Sequence, residues 1–119
     1  MGMHNFRELK IWSWSMEFAV KVYELTLKLP SDEKFGLISQ IRRSAISIPS
    51  NIAEGAGRST NKQFQYFLEI AIGSINELQT QSELAFRLGY FREVDFRLIK
   101  DESTSIQKMI WVFYRTLTV

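Results

Sequence analysis

Apolar residues recur at helical spacing through four long stretches of this chain, and none of the four shows strand-like alternation. In the second stretch Ile38, Ile41, Ala45, Ile48 and Ile52 step by threes and fours, with Gln40, Arg43, Ser47, Ser50 and Glu54 opposite them. In the third, Phe64, Phe67, Ala71, Ile75, Leu78, Ser82 and Ala85 form a seam, and Lys62, Gln65, Glu69, Asn76, Thr80, Glu83 and Arg87 form a wet face. In the fourth, Leu98, Ile99, Ile106, Met109, Ile110, Phe113 and Leu117 make the apolar side. The first stretch is different. Its charges, Lys10, Glu17, Lys21, Glu24 and Lys28, share one narrow stripe. The rest carries two apolar rows: Leu9, Trp12, Met16, Ala19 and Tyr23, then Ile11, Trp14, Phe18, Val22, Leu25 and Leu29. Together these rows wrap roughly 240° at ~100° per residue, against the ~100° stripe that suffices to face a single core.

The pattern predicts helices over about 8–29, 33–54, 60–88 and 95–117. Pro30 ends the first, because the residue before a proline is pushed out of the α region. Thr60 to Gln63 fits a capping box. Gly55 and Gly57 suit the left-handed terminating position of the second helix, and Gly89 stops the third. Short connections between long helices make consecutive helices antiparallel neighbours. The expected fold is all-α: an antiparallel up-down-up-down four-helix bundle, with residues 1–119 as one domain.

Pro49 interrupts the second helical pattern. A proline inside a helix removes one backbone hydrogen bond and crowds the preceding turn, at roughly 3 kcal/mol. It is expected to mark a bend or a local break. Ser50 or Asn51 would satisfy the freed backbone, and Glu54 would make a buried or interface pair. Pro49, Asn51, Glu54 and Gly55 are thus read as one structural turn.

Composition narrows the chemistry. The chain has 119 residues, 45% of them hydrophobic, enough for a real core. It has no cysteine, which excludes disulfides, thiolate nucleophiles and zinc–thiolate sites. The one histidine, His4, lies in a terminus expected to be mobile, so no typical transition-metal site can be built. Glu69 and Glu77 share a helix, yet no Glu-x-x-His occurs and a di-iron centre has no ligands. A serine nucleophile lacks an activating base. Gly55-Ala56-Gly57 is too short for a phosphate loop. No catalytic, metal or cofactor-binding residue is assigned, no cofactor is expected, and an enzyme ranks last among the readings. No run approaches the ~20 apolar residues of a membrane span, and the N-terminus has no signal-peptide h-region. A cytoplasmic protein without a membrane partner is expected.

Net charge is only +2. Arg42, Arg43, Arg58 and Lys62 form the best local basic cluster. As a function, the cluster would bind RNA or DNA phosphates through counterion release, helped by a nearby helix N-terminus. As plain structure, its members would pair with Glu54, Glu69 or Glu77. The Trp12/Trp14 and Trp111/Tyr114 pairs divide likewise between base-stacking platforms and ordinary core or interface. The surplus apolar arc of the first helix points to a homo-oligomer, since faces of that extent usually mark interfaces. The second row is assigned to that interface through Ile11, Trp14, Phe18 and Val22.

One block of sequence is specific. It runs from Ile41 to Tyr90 and contains Arg42-Arg43-Ser44-Ala45, the turn IPSNIAEG (Ile48 to Gly55) and the pattern F-x-x-F-L-x-I-A-x-G-S-x-x-E-L (Phe64 to Leu78). This block resembles the bacterial four-helix bundle proteins of the 23S rRNA intervening-sequence family. Lys10-Ile11-Trp12 is similar to the family's usual entry to its first helix. The resemblance implies a homo-oligomer, typically a pentameric ring, with no established activity. It also implies similarity to the accessory variability proteins of diversity-generating retroelements, which are basic pentamers that associate with nucleic acid. Two functions stand: a non-catalytic oligomeric scaffold or interaction module, and a nucleic-acid-associated accessory protein.

Overall fold

The computed structural model describes residues 4–119. Four helices carry the fold: α1 (Lys10–Thr26), α2 (Leu37–Ala56), α3 (Asn61–Arg87) and α4 (Glu93–Thr116). Single 3-10 turns, Phe6–Glu8 and Ser31–Glu33, precede α1 and α2, and no strand occurs among the described residues. Each helix packs on the next, and α4 closes the bundle against α1. The α2–α3 contact is the most extensive and the α1–α4 contact the least. The bundle is a rod of 48 × 23 × 19 Å.

The core takes Ile41, Ala45, Ile48 and Ile52 from α2, with Phe64, Leu68, Ile75 and Leu78 from α3 and Ile99, Ile106 and Ile110 from α4. Hydroxyl residues share these seams: Ser15, Thr26, Ser44, Ser74, Ser82 and Ser103 are all buried. Several bond back to their own helix. Ser15 Oγ donates to the Ile11 carbonyl at 2.6 Å and Thr26 Oγ1 to that of Tyr23 at 2.8 Å. Such back-bonding lets a small polar side chain sit in a dry seam. Among the described residues no buried polar side-chain atom lacks a partner.

The helix ends depart from the sequence expectation in instructive ways. α1 stops at Thr26, and its last amides turn to tighter bonds: Leu27 N to Glu24 O, Lys28 N to Leu25 O, Leu29 N to Thr26 O. These relieve the terminal carbonyls before Pro30 is reached. α2 begins at Leu37 rather than near residue 33, because Glu33 caps it from outside: its carboxylate accepts from Leu37 N at 3.1 Å. Thr60 caps α3, accepting from Gln63 N at 3.2 Å. Gly89 ends it at φ +80°, with Gly89 N bonded to Phe86 O and Tyr90 N to Ala85 O, a Schellman pattern.

Several expectations about the turn region and the N-terminus need correction. α2 runs uninterrupted from Leu37 to Ala56, so Pro49 does not break it. Neither Ser50 nor Asn51 takes up the Ala45 carbonyl that the proline frees; Asn51 instead donates to the carbonyl and the hydroxyl of Ser47, at 2.8 and 2.9 Å. Glu54 is exposed rather than buried, one turn from its partner Arg58 at the surface. Gly55 and Gly57 are not left-handed; Gly55 lies inside α2 and Gly57 has φ −86°. Gly55 is required by packing instead. A Cβ there would stand 2.8 Å from both Phe64 Cδ1 and Phe67 Cβ, so the glycine lets α3 approach α2 closely. His4 is not loose either. Its amide bonds to Ala56 O at 3.0 Å, and its ring meets Phe64 and Phe113 edge-on at 5.1 and 6.0 Å.

Candidate functional site

The two apolar rows of α1 part company in the folded chain. Ile11, Phe18 and Val22 are core residues, with Phe18 and Val22 almost completely buried. The sequence pattern assigns them to an interface between copies, but the bundle itself takes them. The reason is the seam Ile11–Ser15–Phe18–Val22–Thr26, in which two polar residues complete an inward stripe that a count of apolar side chains does not reveal. Trp14 remains exposed, but it stands on the α4 side of the helix, beside Met109.

The first row is mixed: Met16 is exposed beside Val20, Trp12 and Tyr23 are half-buried, and Ala19 is buried. It forms one wall of a groove of about 670 Å³ between α1 and α2. Ile46, Pro49 and Ala53 form the other wall, and Glu24 and Ser50 are the polar residues on its lining. Val20 is 58% exposed, Ile46 45% and Met16 42%. Pro49 has a place in this wall: its ring presents a rigid apolar surface where α2 borders the groove.

The basic set is divided. Arg42 and Arg43 stand near the start of α2, and Arg58 and Lys62 lie beyond its end, about 20 Å away at ~1.5 Å per residue. Arg42 is half-buried and committed to α1. Its Nε donates to Thr26 Oγ1 at 2.8 Å, and its guanidinium lies 4.6 Å from the Tyr23 ring centre. It ties the end of α1 to α2. Arg43 faces solvent and takes no ion-pair partner among the described residues. Arg58 pairs with Glu54 at 2.8 Å and lies 4.6 Å over Phe67. Lys62 is exposed on the first turn of α3, and Tyr66, one turn on, is exposed too. The fold therefore brings Arg58, Lys62 and Tyr66 to one corner and leaves Arg42 and Arg43 elsewhere. Glu69, another acid expected to pair with this set, instead accepts from Tyr114 Oη at 2.8 Å and holds that phenol above its ordinary pKa.

A charged contact that the sequence pattern does not single out closes the opposite end. Asp95 is buried at the start of α4. It accepts from Arg92 N and Arg92 Nε, and from Lys28 Nζ at 3.0 Å. Burial pushes its carboxyl up, but the Arg92 and Lys28 hydrogen bonds together outweigh burial and hold it below the ordinary Asp value. An acid three residues into a helix start is the signal that the sequence offers; Lys28 is brought there only by the bundle. No group of three or more His, Cys, Asp or Glu residues suited to a metal ion occurs among the described residues. No helix described is long and apolar enough to cross a membrane.

Comparison with known proteins agrees with the fold. A chain similar in structure is a protein of unknown function from the S23 ribosomal protein family of Bacteroides thetaiotaomicron VPI-5482. It is 29% identical, with a TM-score of 0.78, and the match covers 87% of this chain and 97% of that one. No relative matches among curated proteins. The family model described as 23S rRNA-intervening sequence protein matches residues 7–112, from the first 3-10 turn to well within α4. This chain belongs to the 23S rRNA-intervening sequence protein family.

Proposed function

We propose that this protein is a non-catalytic, self-associating helical-bundle scaffold of the cytoplasm, assembled head-to-tail through the α1/α2 groove. The groove carries the reading: three large apolar side chains, Met16, Val20 and Ile46, are substantially exposed along one concave strip. Apolar strips of this kind mark interaction sites. Groove packed directly on groove would enclose a void. A convex part of another copy must enter it, and repeated head-to-tail contacts close into a ring when the rotation allows. Five copies is the number that the family resemblance implies.

The test is the mass in solution, read by light scattering at micromolar concentration. A multiple of the 13.9 kDa chain is expected. A particle of 13.9 kDa overturns the reading.

A second reading rests on the corner at the start of α3. Arg58, Lys62 and exposed Tyr66 combine positive charge with an aromatic face, the elements of sequence-tolerant binding to single strands. Ring assembly would multiply the corner and raise its avidity. Retention of a structured RNA and a duplex DNA at two salt concentrations tests it. Binding that falls steeply with salt, and is lost on Arg58→Ala/Lys62→Ala in an intact assembly, supports it. Absence of binding at low salt rejects it.

A further inference from the structure

The α2–α3 seam opens on its outer side into a second cavity, on the other flank of α2 from the apolar groove. Its volume is about 410 Å³, within the range of roughly 300–1,000 Å³ common for small-molecule sites. Helix seams usually close on apolar side chains, whereas this one is lined by short polar residues. Ser44 Oγ donates to Gln81 Oε1 at 2.9 Å, and the Ser47 and Ser74 hydroxyls meet at 2.8 Å. These bonds fix the register of the two walls. They leave hydroxyl and amide oxygens on the cleft with lone pairs to offer.

Two opposite charges face this cleft, Arg43 from α2 and Glu77 from α3. They form no ion pair with each other or with any other described residue. At other helix contacts the facing charges do pair, as Lys21 does with Glu102 and Lys28 with Asp95. At the mouth stands Phe35, 89% exposed. A free anion would be drawn to Arg43 and repelled by Glu77, and a free cation would meet the reverse. A ligand that satisfies both carries both charges. A flat apolar group on that ligand could stack on Phe35.

The geometry points to a binding site for a small zwitterion, a free α-amino acid with an aromatic or apolar side chain. Arg43 takes its carboxylate, Glu77 its ammonium, and Phe35 its side chain. The site lies apart from the groove assigned to self-association, so either can fail without the other.

L-Phenylalanine is the probe, with saturation-transfer NMR and calorimetry as readouts on the full chain. N-Acetyl-L-phenylalanine and L-phenylalaninamide remove one charge each. Saturable binding of the free amino acid is expected, with both blocked compounds weaker. Arg43→Gln and Glu77→Gln should each weaken it roughly tenfold or more, the scale of one charge-assisted hydrogen bond. Both residues are exposed, so the folds of these variants should hold, and circular dichroism checks that. The swap Arg43→Glu/Glu77→Arg should recover binding lost in either single reversal, which a merely structural role would not do. No saturable binding at millimolar probe overturns the site. So does wild-type affinity in both single variants. Equal binding of the acetylated compound would make it an anion site and overturn the zwitterion assignment.

Discussion

Two sides of one helix, alike in composition, end in opposite environments. Ile11, Phe18 and Val22 fill the bundle, while Met16 and Val20 line an open groove less than one turn around α1. The apolar content of each side does not explain the difference. What separates them is where α2 and α4 lie, and which hydroxyls complete the inward stripe. A wide amphipathic helix carries more apolar surface than its own bundle covers, and only packing says which side is core.

Truncating the inner side should cost the most. Phe18→Ala is expected to destabilise the chain by about 3–5 kcal/mol, the usual cost of emptying a large aromatic site. Denaturant unfolding measures it. A loss below about 1 kcal/mol would mean that the inner row is not core.

The contrast between packed and open surroundings recurs at two glycines. Gly55→Ala must push its new Cβ into Phe64 and the Cβ of Phe67, and should cost about 1–3 kcal/mol as an overpacking strain. Gly73, in the interior of α3, has open space around it, with nothing within 4 Å of where a Cβ would stand. Gly73→Ala should stabilise by about 0.5–1 kcal/mol through helix propensity alone. Thermal melts of the pair should move in opposite directions. Two shifts of the same sign would contradict this packing.

Asp95 sharpens the contrast between buried and exposed charges. Its folded pKa lies below the unfolded value, so its contribution is present above the ordinary Asp pKa of about 3.9 and is lost as pH falls through the folded value. Acid titration of stability should therefore show a component below about pH 4 that Asp95→Asn removes. The same variant should cost roughly 0.5–1.5 kcal/mol at neutral pH by weakening the hydrogen bonds that Asp95 accepts from Arg92 and Lys28. A titration unchanged in the variant would show that Asp95 carries no such linkage.

The outer side should give the smallest change in chain stability and a large change in mass. Val20→Glu is expected to alter the unfolding free energy of the separated chain by no more than about 0.5 kcal/mol, while dissociating the assembly. Light scattering with denaturant unfolding on one sample reads both. An intact oligomer in this variant would remove Val20 from the interface.

The seams of α2 and α3 are legible in the sequence because their residues repeat at a pitch that only a helix brings to one face. Thr60 and Gly89 are legible because capping and left-handed turns select particular side chains. The sequence misleads where a residue can serve two ends. Ser15 and Thr26 stand outside both apolar rows of the sequence pattern, yet they are buried with their hydroxyls bonded to their own backbone. Pro49 looks like a break until α2 is seen to run through it to Ala56 with the ring as part of a groove wall. Gly55 looks like a stop until Phe64 and Phe67 come to lie against it. The basic residues read as one cluster because the α2–α3 hairpin is expected to gather them, while the length of α2 keeps them apart.

Local periodicity, caps and composition by themselves determined an all-α four-helix chain without thiolate chemistry, and its motif block marked the family. Tertiary structure alone decided which apolar row of α1 is core, that Arg42 bonds to Thr26 of α1, and that Arg43 and Glu77 share a cleft. The physical reason is range. Helix pitch and capping act within a few residues, whereas burial and pairing depend on which distant surface arrives to cover each side chain.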